Sequence, residues 1–226
     1  MKHIILSTIL ITNSSTFASV LTMLPSPLVQ GGMIHINVAY NEVSGLLTAD
    51  PEPGTPELKP LSVWSPGDSF DPASPWYATL DPSQAAGLFN SQFGMVMSGE
   101  SDDLPENSKL IVHLLSATPG MQIYQWKNNA PQAFDGMLGT NGSAAAFDWN
   151  MFMTHPMIVM PAGSSGSATA TLSFTLSDAN GVALPGHAPA QATLNFNVVP
   201  EPSTFVLSAA TGLLALRRRR PSAQHA

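Results

Sequence analysis

The chain has 226 residues, 44% of them hydrophobic and 10% charged, with a formal net charge of −7 and no cysteine. The missing cysteines exclude disulfides and thiolate metal sites, so an exported form must be stabilised by its core alone. Between Leu21 and Val199 stand three lysines (Lys59, Lys109, Lys127), no arginine and fourteen Asp or Glu, a net of −11. Such a surface is compatible with cations and repels nucleic acid, whose binding rests on neutralising phosphates.

At the N-terminus, Met1-Lys2 is a small basic region and Ile4 to Ile11 a short apolar core. Thr16-Phe17-Ala18 then offers small residues where a signal peptidase reads. The pattern predicts a secretory signal peptide over 1–19, with a helical core and cleavage at Ala18 or a residue or two later. The apolar run is too short for a stable anchor. The body between this segment and the C-terminal tail, about 180 residues, is enough for one domain with a sizeable core.

Met33 to Tyr40 alternates Ile34, Ile36 and Val38 against His35, Asn37 and Ala39, which predicts a half-buried strand. Asn41 to Gly45 is a turn, and Leu46-Leu47-Thr48 a returning strand. Asp50 to Pro60 holds four prolines and cannot be a central strand. Ser62 to Pro82 is also Pro- and Asp-rich, yet carries Trp64, Phe70, Trp76, Tyr77 and Leu80. A flexible linker lacks so many rings, so an ordered loop pinned by aromatics is expected. A short helix over Pro82 to Asn90, capped by Ser83, fits the Ala and Leu content.

Phe93 to Met97, Lys109 to Leu115 and Met121 to Trp126 read as strands, separated by the turns Ser101 to Pro105 and Pro119-Gly120. Asn128 to Ala146 reads as loop. Asp148 to Met160 is apolar and Met-rich, with Pro156 limiting it to an edge or a bulge. Ala168 to Leu176 and Ala192 to Val198 alternate cleanly, and Asp178-Ala179-Asn180-Gly181 is a turn signal. Regular strands without a long amphipathic helix predict an all-β fold. The expected architecture is a single β-sandwich, Ig-like or jelly-roll-like, with long Pro-rich loops.

Candidates for chemistry are few. No G-x-S-x-G, Walker loop, H-E-x-x-H or Rossmann fingerprint occurs. Asp148, His155 and a serine could be named as a triad, but nothing in the sequence brings them together. The body histidines are His35, His113, His155 and His187, each on a different element, and imidazole suits zinc and copper. Asp102, Asp103 or Asp148 could complete such a site. A histidine scattered on a strand is more often a surface or satisfied residue. Met151, Met153, Met157 and Met160 flank His155; thioether beside imidazole is a Cu(I) pattern, while core filling is the commoner use of Met. Trp76 and Tyr77 could stack on a sugar or simply clamp their loop.

The last stretch, VPEPSTFVLSAATGLLALRRRR, is Val199 to Arg220. Pro200 and Pro202 end the preceding fold. Phe205 to Leu216 is almost wholly apolar, helical in lipid but shorter than the roughly 17–25 residues of a full span. Arg217, Arg218, Arg219 and Arg220 would stay cytoplasmic. Pro-Glu-Pro, apolar run and Arg cluster, in this order, resemble the PEP-CTERM sorting signal of certain bacteria. The resemblance implies recognition at the inner membrane by an exosortase-type transpeptidase, usually in Gram-negative organisms that make exopolysaccharide. Pro200, Glu201 and Pro202 would then be recognition residues, not a catalytic site.

The body is similar to a narrower group. WSPGDSFDPASPWYATLDPS, FGMVMSGESDDLP, LLSATPGMQIY and GTNGSAAAFDWNMFMTHP, in order before the tail, resemble a PEP-CTERM family repressed by the zinc regulator Zur. That resemblance implies expression under zinc limitation and a surface role in zinc acquisition or storage, with zinc as the candidate cofactor. It supplies no ligand set. The expected organisation is a signal peptide (1–19), a β-sandwich body (20–198) and a sorting tail (199–226). The expected function is that of a non-enzymatic protein, exported through the inner membrane to the cell surface or extracellular matrix. Expected partners are signal peptidase, the exosortase, the inner membrane in passing, and exopolysaccharide. The alternatives are a carbohydrate-binding or structural matrix module, then a copper-binding protein or a hydrolase.

Overall fold

The structure is a computed structural model that describes residues 30–68, 87–127 and 133–200. The signal peptide with Ala18, the rings Phe70, Trp76 and Tyr77, and the tail from Glu201 onward, including Arg217 to Arg220, lie outside the described residues. The described chain is all-β. Its strands are β1 (Ile34–Asn41), β2 (Leu46–Pro51), β3 (Glu57–Leu58), β4 (Leu88–Asn90), β5 (Phe93–Met97), β6 (Lys109–Ala117), β7 (Gln122–Lys127), β8 (Ala133–Gly136), β9 (Ala146–Trp149), β10 (Met157–Met160), β11 (Gly166–Ser177) and β12 (Ala190–Val198). Among the described residues no helix is long and apolar enough to cross a membrane.

The strands form three sheets. The largest has the order β3-β12-β11-β6-β9 and grows from the two cleanly alternating segments. Ala170, Leu172, Phe174 and Leu176 of β11 and Leu194, Phe196 and Val198 of β12 are buried, while the Thr, Ser and Asn between them mostly face outward. The period of two therefore dictates which face meets the core. A second sheet, β2-β1-β5, joins β1 antiparallel to β2 and parallel to β5. The turn between β1 and β2 closes on Gly45, whose φ of 66° favours glycine. The third sheet has the order β4-β10-β7-β8.

All three sheets contribute to one core. Phe93 of β5 meets Phe196 of β12 edge to face at 5.4 Å, and Trp149 of β9 meets Phe174 of β11 at 6.1 Å. Edge-to-face contact suits the ring quadrupoles. A smaller cluster of Phe89, Tyr124, Met157 and Val159 lies on the other face of the third sheet. β10 is thus covered on both faces, which is why its run MIVM is apolar without alternation.

Three sequence expectations need correction. Residues 88–90, expected at the end of a helix, are β4: Leu88, Phe89 and Asn90 are fully buried and pair with Met160, Val159 and Ile158. Pairing with the free edge of the apolar strand β10, whose other edge is held by β7, outweighs the local helix propensity. Residues 133–136, expected as loop, form β8 on the edge of β7, with the Phe134 ring tilted against Trp126 at 4.9 Å. Cross-strand ring contact stabilises that pairing. The stretch 148–160 is not one strand. β9 belongs to the five-stranded sheet and β10 to the third sheet, and residues 150–156 cross between them. Met151 takes φ 65° in this crossing, which a strand cannot continue through.

Candidate functional site

The crossing segment creates the site. Ile36, Val38 and Tyr40 of β1 point into the core, so His35 lies on the opposite face. Its register partner on β5 is Gly94, flanked by the buried Phe93 and Met95. In a parallel pair, register partners present the same face. Gly94 has no side chain there, and the imidazole of His155 takes the space: a Cβ at position 94 would collide with the ring's Cε1, Nε2 and Cδ2.

His155 is carried there by backbone pairing. Met95 and Thr154 exchange both N–H···O bonds, at 2.9 and 3.1 Å. The Trp149 indole N–H donates to the Phe152 carbonyl at 2.8 Å, as does the Thr154 hydroxyl at 2.9 Å. The loop is therefore fixed by its own polar groups while Phe152 and Met153 stay exposed. Its His155 Nδ1 donates to the Ser91 carbonyl at 3.1 Å.

His35 is held just as firmly. Its backbone N–H donates to Glu52 Oε2 at 2.8 Å, and its Nδ1 faces Glu52 Oε1 at 3.3 Å. The Glu52 N–H returns a bond to the His35 carbonyl at 2.7 Å, one step beyond β2. The two ring centroids stand 6.2 Å apart with their planes at 64°.

Partner chemistry sets the tautomers. A carbonyl only accepts, so Nδ1 of His155 carries the proton. An ionised carboxylate only accepts, so Nδ1 of His35 carries one too. Each neutral ring then presents a bare lone pair at Nε2, and both Nε2 atoms are buried without a hydrogen-bond partner. The His35 amide above all holds the Glu52 carboxyl below the usual carboxylate range; burial opposes it, and the His35 ring adds to the lowering. Burial pushes His155 below the usual histidine value, and a charge on His35 would push it the same way; the Ser91 carbonyl partly offsets both.

The other candidates lie elsewhere. His187 donates from Nδ1 to the Gly45 carbonyl at 3.0 Å and leans on Tyr40 at 5.8 Å, tying the loop before β12 to the β1–β2 turn. His113 sits in β6, opposite Ser173 and Ala146. Asp148 pairs with Lys109 at 2.7 Å, and Asp102 accepts the Glu42 amide at 2.8 Å. Asp148 is thus engaged by a lysine, and His155 is anchored to a carbonyl. Among the described residues no three His, Cys, Asp or Glu side chains are placed to hold one metal ion. The methionines divide: Met157 and Met160 are core, while Met151 and Met153 are exposed.

The structure thus unites two of the four histidines. Sequence reasoning missed Glu52, Ser91 and Gly94. One signal was available for Gly94, since an isolated glycine between bulky apolar residues in a strand marks close approach of another group.

The PEP-CTERM protein-sorting motif matches residues 198–220. The match begins at Val198, the last residue of β12. It marks the chain as an exported protein, sorted to the cell envelope by an exosortase-type system. No curated protein matches the chain.

Proposed function

We propose that this chain is a non-enzymatic protein of the cell surface or extracellular matrix, made in response to zinc limitation. Its body, residues 20–198, is a single β-sandwich between a signal peptide (1–19) and a processed tail (199–226). The observation that carries the reading is the junction of fold and motif. β12 ends at Val198, and the Val199 amide still bonds the Leu58 carbonyl at 2.9 Å. Cleavage near Glu201 would therefore remove the apolar run and the arginines without taking a residue from the core. Until then the tail serves as a transient membrane handle. A non-enzymatic reading is supported by the engagement of Asp148 with Lys109 and of His155 with a carbonyl.

The test is processing in an exosortase-bearing host. The full chain should yield a product shortened at its C-terminus, by intact mass, in the envelope or medium. A variant with Pro200, Glu201 and Pro202 all changed to Ala should keep its tail and stay with the inner membrane. Identical processing of both would refute the sorting assignment. Zinc response is separate: transcript levels should rise on chelation and fall on zinc repletion.

A second reading, binding to exopolysaccharide, draws on the outer face of the five-stranded sheet. Thr169, Thr171, Thr193, Asn195 and Asn197 form an uncharged rank of hydroxyls and amides there, with Thr171 and Thr193 bonded at 3.2 Å. Retention of the chain on matrix polysaccharide, lost on Thr193→Asp, would support it.

A further inference from the structure

Zinc, the ion the resemblance implies, takes four ligands in structural sites and three protein ligands plus water in catalytic ones. Among the described residues no such set exists, and the paired histidines stand alone. Their geometry fits something else. In its neutral form, with Nδ1–H turned to Glu52 or to the Ser91 carbonyl, each ring offers only a lone pair from a buried Nε2. Two lone pairs cannot bond each other. Burying such acceptors unpaired is costly, and one cation shared between them removes the cost for both.

For Nε2 atoms that face one another, the ring separation would select among cations. Two imidazoles on one tetrahedral metal, with metal–nitrogen bonds near 2.0 Å, would place their centroids about 5.1 Å apart; a linear N–metal–N unit would place them about 6.3 Å apart. A direct N–H···N bond between the rings would require about 5.2 Å. The observed distance is 6.2 Å. Linear two-coordination belongs to soft monovalent d10 ions, Cu+ and Ag+.

We propose that His35 and His155 form a two-coordinate site for Cu+ or Ag+, bound by both Nε2 atoms. Glu52 and the Ser91 carbonyl hold the two Nδ1–H groups and so aim the ligands, the role that carboxylates and carbonyls play behind metal-bound histidines. Met151 and Met153, exposed on the loop that carries His155, are thioethers of the soft class that captures such ions. The site is independent of sorting and of zinc-responsive expression, so either can fail without the other.

The test titrates the purified full-length chain, in detergent and chloride-free buffer, with Ag+ as the air-stable probe and with Zn2+ in parallel. Long-range 15N–1H spectra of the histidine rings give the readout. One equivalent of Ag+ should shift the Nε2 signals of His35 and His155 and leave those of His113 and His187 in place. His35→Gln and His155→Gln should each weaken binding by more than about 100-fold, the upper range for changes behind a ligand, and Glu52→Gln by about 10-fold. The wild-type spectra keep the test decisive should a variant unfold. The proposal is overturned if Ag+ moves only the Met151 and Met153 methyl signals, if neither ion moves the pair, or if Zn2+ takes the pair more tightly than Ag+.

Discussion

The imidazole of His155 occupies the volume that any side chain at position 94 would need. Gly94 lies opposite His35 in the β1–β5 register, so this one missing side chain lets a residue from a crossing loop reach a histidine 120 positions earlier in the chain.

Gly94→Ala should therefore expel the His155 ring and break its bond to Ser91. The expected loss is about 1–3 kcal/mol, the range for overpacking. Urea unfolding would measure it. In a His155→Ala background the same change should cost much less, because the colliding ring is gone; equal costs in both backgrounds would deny the coupling.

Stability should depend on pH through His155. Its folded value lies below 6.5, so on acidification the unfolded chain takes up the proton first. The contribution is complete above the unfolded value and is lost as pH falls from 6.5 through the lowered folded value. Glu52, held below 4.5, adds a loss of the same sign in a more acidic window. In metal-free protein, melting temperatures from pH 8 to pH 4 should fall, and His155→Gln should flatten the upper part of the curve.

Thr140 carries a buried hydroxyl that accepts the Ile123 amide at 2.8 Å. Thr140→Val keeps the shape and leaves that amide unsatisfied. A loss of about 1–3 kcal/mol is expected, and Thr140→Ser should recover most of it. Matching denaturation curves for wild type and the Val variant would contradict this.

Phe196 is fully buried against Phe93 and ties the five-stranded sheet to the β1 sheet. Phe196→Ala should cost about 3–5 kcal/mol and unfold the chain as one cooperative unit. Separate transitions for the two sheets would contradict a shared core.

Local patterning made much of the fold legible. The segments of β1, β2, β5, β6, β7, β11 and β12 all stand out in the sequence, because alternation and turn residues act over a few positions. β4 and β8 did not stand out: each forms because a distant strand offers an unpaired edge. β9 and β10 read as a single apolar run because nothing local shows that the chain changes sheets between Trp149 and Met157.

Composition and sequence order alone determined the acidic, cysteine-free body, the all-β class, the inward faces of β11 and β12, and the sorting motif at 198–220. These properties belong to contiguous residues. Tertiary structure decided which histidines meet. His35 and His155 are joined through Gly94 and aimed by Glu52 and Ser91, while His187 is spent on holding a turn. Sheet register and loop crossing set those distances, and no spacing along the chain encodes them.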